Sequence, residues 1–155
     1  MNKSLFYLIL LIPILFFSYY FFKEKNHSKE IFNFKPEINE NSSFKVSLYS
    51  KDNLYDYLNG GAEKILSYDF KYLKLWQGNE NDFEFYIELY NFNSKEGAKK
   101  LFNDYSKNKF SNYEISEDQG ICFSGNFFLK IITYPANKNF IEKNIKKFME
   151  FSNGK

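Results

Sequence analysis

The sequence predicts an α+β fold: an N-terminal transmembrane helix, then an antiparallel sheet of about five to six strands packed with about three helices. Three observations carry this expectation. An uncharged apolar run covers residues 5–22. Beyond it, strand-like segments are joined in pairs by short turns, the arrangement of antiparallel hairpins. Three further stretches repeat apolar residues every three and four positions, the spacing of a helix with one buried face.

As a helix, the run from Leu5 to Phe22 is about 27 Å long at ~1.5 Å per residue, against a bilayer core of about 30 Å. Its exit, Phe16-Phe17-Ser18-Tyr19-Tyr20, is bulky, whereas a leader cleavage site needs small residues. Residues 1–22 are therefore expected to be an uncleaved signal-anchor that meets the lipid bilayer through residues 5–22. Orientation cues conflict. Lys3 and the export-like head place the rest of the chain outside the cytoplasm, while Lys23, Lys25 and Lys29 argue the reverse. The export-like head is preferred, giving a single-pass cell-membrane protein with an extracytoplasmic domain. Residues 23–43 read as a polar tether docking partly on that domain, with His27 a solvated linker residue.

Residues 44–152 form the domain. Phe44, Val46 and Leu48 alternate with Lys45 and Ser47 as a short strand. Leu54, Tyr57, Leu58, Gly61, Ala62, Ile65 and Leu66 share one face of a helix capped by Ser50 or Asp52. A strand over 72–77 and a turn over 78–82 lead to Phe83, Phe85, Ile87 and Leu89, which alternate with Glu84, Tyr86, Glu88 and Tyr90. Asn93 or Ser94 caps a second helix, with Ala98, Leu101, Phe102 and Tyr105 facing inward. A weak strand near Tyr113 and Ile115 precedes a hairpin around Ser124-Gly125-Asn126. Its second strand, residues 127–134, is apolar on both faces, as a central strand would be. A last helix over 138–151 turns Ile141, Ile145, Phe148 and Met149 inward and stops at Asn153-Gly154.

Composition excludes several functions. The chain has 155 residues, one His, one Cys and a net charge of +2, with lysine as its sole basic residue apart from His27. That balance does not suit a nucleic-acid binder. It leaves no intramolecular disulfide, no zinc cluster and no triad; no metal and no cofactor is expected. Cys122, within a strand, reads as a small buried hydrophobe. The 22% aromatic content rests on residues with A/T-rich codons and is a compositional bias before it is a functional signal. Trp76 reads as core.

The most unusual segment is Asn59-Gly60-Gly61-Ala62-Glu63. Two glycines within a helix cost about 1 kcal/mol each relative to alanine. Close packing at Gly61 is the preferred reason. The other is a helix broken at Gly60, whose amides meet an anion or carbonyl. Phosphate-loop lysine and hydroxyl positions are missing. Glu84 and Glu88 stand about 13 Å apart along a strand, too far for a glycosidase carboxylate pair.

The run Asn53-Leu54-Tyr55-Asp56-Tyr57-Leu58-Asn59-Gly60-Gly61-Ala62-Glu63 resembles the hallmark of an uncharacterised bacterial family, domain of unknown function family 6599. Ile87-Glu88-Leu89-Tyr90-Asn91-Phe92 is similar to its later strand, and Gly125-Asn126-Phe127-Phe128 to its late hairpin. Tyr68-Asp69-Phe70 replaces the family's Tyr-Gly-Phe, and Lys99-Lys100 follow Ala98 where it has bulky and glycine residues. The resemblance implies a small exported or anchored α+β domain and supplies no catalytic residue.

These observations point to a non-enzymatic module binding a protein or small molecule, with Asn59, Gly60, Gly61, Glu63 and Glu88 as candidate binding residues. One alternative is a carboxylate enzyme with Asn59, Glu63 and Glu88 in a cleft, which the depletion of His, Cys and Arg disfavours. The other is an assembly role at the membrane, signalled by a flat apolar patch including Trp76.

Overall fold

Alternating apolar and polar residues give each strand two faces, and helices pack on both faces of the sheet's central strands. The computed structural model describes residues 33–108 and 110–153. The strands are β1 (Ser43–Ser50), β2 (Phe70–Glu80), β3 (Phe83–Phe92), β4 (Tyr113–Ile115), β5 (Gln119–Ser124) and β6 (Phe127–Tyr134). They form one six-stranded sheet in the order β1-β2-β3-β6-β5-β4, antiparallel at every pairing. Two three-stranded meanders thus meet where β3 pairs with β6, with Ile87 opposite Ile131 and Leu89 opposite Leu129. The α+β architecture and the central place of residues 127–134 are as expected.

The first sheet face carries Leu73, Tyr90, Phe92, Ile121 and Phe128, buried in one core with Leu54, Ala62, Ile65, Leu101 and Phe102 of the helical segments. Those segments are α1 (Tyr55–Leu58), α2 (Ala62–Leu66) and α3 (Lys95–Tyr105). Phe102 of α3 packs on Phe123 with ring centroids 5.1 Å apart. Fully burying one such side chain is worth about 1.5–3 kcal/mol. Ser94 caps α3, its hydroxyl accepting from the Gly97 amide.

The second face is covered by α4 (Lys138–Ser152). Phe140 packs 5.0 Å from Phe83 and 5.3 Å from Phe85. A β-carbon on Gly120 of β5 would run into Ile141, so the missing side chain lets α4 lie close to the sheet. Trp76 is buried, as expected.

The tether is bound where it is described. Asn144 of α4 accepts from the Glu37 amide at 2.6 Å and donates to the Glu37 carbonyl at 3.2 Å. The Asn39 amide donates to Glu80 at 2.8 Å. Residues 23–32, His27 included, lie outside the described residues.

Three expectations are corrected. The first is the transmembrane helix. Among the described residues no helix is long and apolar enough to cross a membrane. The longest, α4, has 15 residues, about 22 Å, and carries lysines along one side. The run 5–22, with the anchor and topology expected of it, lies outside the described residues. Second, the helix expected from Leu54 to Leu66 is broken into α1, a 3-10 turn (Asn59–Gly61) and α2, with no side-chain cap at the start of α1 or α2. Third, the turn expected over 78–82 narrows to Asn81-Asp82, because β2 runs on to Glu80 opposite Phe83.

Candidate functional site

Strand register and one short helix bring four polar side chains together on the first sheet face. Glu88 of β3 lies directly opposite Lys130 of β6. Their side chains pair at 3.3 Å and are 5% and 13% exposed. Tyr90, two residues along the same strand face, donates its hydroxyl to Glu88 Oε2 at 2.9 Å. Tyr57 reaches down from α1 and donates to Glu88 Oε1 at 2.5 Å. Its ring stacks on Tyr49 of β1 at 5.1 Å. Tyr105 of α3 places its ring 5.1 Å from Lys130 Nζ, within cation–π range.

The electrostatics follow from that geometry. Burial holds the Tyr57 and Tyr90 hydroxyls well above the ordinary tyrosine range, and the Glu88 charge and hydrogen bonds push the same way. Both therefore remain donors at any physiological pH. Glu88 receives one bond on Oε1, and a bond and an ion pair on Oε2. A carboxylate engaged in this way ties α1 to the sheet.

The other expected site residues lie elsewhere. Asn59, Gly60, Gly61 and Glu63 are all exposed, and neither Asn59 nor Glu63 takes part in the bonds to Glu88. Of the three side chains in the enzymatic alternative, Asn59 and Glu63 are exposed and Glu88 is buried. The break between α1 and α2 falls at Asn59, not Gly60. Asn59 has φ 47° and ψ −128°, a backbone region that glycine favours and that costs an asparagine about 1–3 kcal/mol. The Asn59 amide closes α1 on the Tyr55 carbonyl, and the Asn59 carbonyl accepts from the Ala62 amide to open α2.

Nor does Gly61 serve close packing. It holds ordinary helical angles, φ −76° and ψ −16°, and a β-carbon on Gly60 or Gly61 would meet nothing within 4 Å. The break turns this segment out of the stripe that a continuous helix would have buried. Close approaches occur instead at Gly78, Gly97 and Gly120.

No family model, no curated protein and no solved structure matches this chain.

Sequence reasoning missed Tyr57, Tyr90 and Lys130 as partners of Glu88. A signal for Lys130 was present: it is the sole charge in the apolar run 127–134, and a charge in a central strand requires a counter-charge. Cys122 is fully buried, and burial pushes its thiol pKa up, as expected of a small hydrophobe. Among the described residues no group of three or more His, Cys, Asp and Glu side chains is placed to hold a metal.

Proposed function

We propose that this chain is a non-enzymatic binding module whose partner meets it at the exposed Asn59-Gly60-Gly61 turn, with Glu63 at its rim. The observation that carries the reading is the absence of any internal need for the two glycines. Both are exposed with open space above them, and Gly61 has a backbone that alanine adopts without strain. Each still costs about 1 kcal/mol against alanine in a helical segment. A surface that must admit another molecule's backbone gives a reason for that cost. The Glu88 hub beneath fixes α1, and so the direction in which the turn faces. Engagement of Glu88 by three donors favours binding over carboxylate catalysis.

The test is proximity labelling in cells that make the protein. A photoactivatable side chain at position 60 of the full chain should give a discrete adduct, while the same group at exposed Lys71 should not. Equal labelling at both positions, or none at 60, would overturn the proposal.

A further inference from the structure

A different surface points to self-association. β1 is an edge of the sheet, and its outer backbone groups form a template for another strand. Natural edges are usually blunted by proline, bulges or charge. β1 pairs with β2 in unbroken register over all eight residues, contains no proline, and has Lys45 as its one charge. On the face away from Lys45 it exposes Phe44, Val46 and Leu48 by 46%, 50% and 57%. This is three large apolar side chains in a row along one unprotected edge.

We propose that β1 pairs antiparallel with β1 of a second copy, about a two-fold axis through Val46, to give a continuous twelve-stranded sheet. The sequence of β1 selects both the occupant and the register. An isologous strand pair sets each residue against its mirror position. Centred on Val46, the pairing places Phe44 against the partner's Leu48, Val46 against the partner's Val46, and Leu48 against the partner's Phe44. All six side chains lie on one face, where cross-strand apolar pairs stabilise a sheet. On the other face Lys45 meets the partner's Ser47, so no like charges are opposed. Centring on Lys45 would oppose two lysines, and centring on Ser47 would set Phe44 against serine. One register alone therefore matches apolar to apolar while separating the charges.

Sedimentation velocity of the full chain, held in detergent because of the apolar run 5–22, at about 100 µM, where a micromolar interface is filled, should show a dimer. Val46→Lys should weaken self-association by about 100-fold, because like charges meet at the axis, while leaving the thermal melt unchanged when both proteins are diluted far below the dimer Kd and are monomers. Val46→Cys should give a covalent dimer on mild oxidation, with wild type as the control for Cys122. Phe44→Cys and Leu48→Cys should each fail alone and cross-link when mixed. A monomer at that concentration, or a dimer that survives Val46→Lys, overturns the proposal, as does cross-linking that ignores position. In those cases β1 is free, or it receives a different strand.

Discussion

Replacing Glu88 with glutamine removes the charge on which Tyr57, Tyr90 and Lys130 converge. At 3.3 Å the Glu88–Lys130 attraction is worth about 5 kcal/mol gross at an effective dielectric constant of ~20, with desolvation opposing it. Glutamine keeps one acceptor, enough for Tyr57. Its amide nitrogen would then face the Tyr90 hydroxyl and Lys130, donor against donor. Lys130, 13% exposed, would be left without its counter-charge. Breaking a buried pair from one side costs about 3–5 kcal/mol, and a cost in that range is expected for Glu88→Gln. Replacing both charges is close to neutral in comparable cases. Glu88→Gln with Lys130→Met should therefore recover most of the loss, with a coupling energy of about 2 kcal/mol or more. Urea unfolding followed by Trp76 fluorescence measures both, because Trp76 is the sole tryptophan and is buried. The reasoning fails if Glu88→Gln stays within about 1 kcal/mol of wild type, since no intact buried hub could lose its charge so cheaply. It also fails if the two single losses simply add.

Asn91 of β3 is 1% exposed, and neither side-chain polar atom has a hydrogen-bond partner. Asn91→Leu, with the same branching, should raise stability by about 1–3 kcal/mol, and a lower melting temperature would show that the amide has a role the fold needs. Gly61→Ala should be neutral or stabilising by up to about 1 kcal/mol. Gly120→Ala should destabilise by about 1–3 kcal/mol through its clash with Ile141; thermal melts that reverse this order would refute the packing assigned to both. Tyr57, Tyr72 and Tyr90 all hold their protons above the ordinary tyrosine range, Tyr72 pushed up to about 12 by burial. An unfolded chain releases those protons near pH 10, so their contribution is whole below pH 10 and declines as pH rises from about 10 toward 12. Tyr72→Phe should make that alkaline decline shallower in a series of urea midpoints, and an unchanged slope would remove Tyr72 from the account.

Much of the fold was legible in the chain. Alternation over residues 83–92 needs only that strand's own pleat to be read, so β3 emerged with its two faces correct. Ser94 before Lys95–Tyr105, and the stripe Ile141, Ile145 and Phe148, are likewise local signals within a few turns of backbone. The helix over 54–66 misled because spacing cannot register a single residue with positive φ. Asn59 breaks the helix there, and the reading of Gly61 as a packing residue broke with it. The Glu88 hub was invisible for a different reason. Tyr57, Glu88 and Lys130 lie far apart along the chain, and their meeting depends on β3 pairing with β6 and on Tyr57 of α1 reaching Glu88 of β3. Local sequence determined which residues form strands and helices, because those preferences come from each residue's neighbours. Only the tertiary structure decided which side chains share a hub and which glycines stand in the open, because both depend on pairings between distant segments that no local pattern encodes.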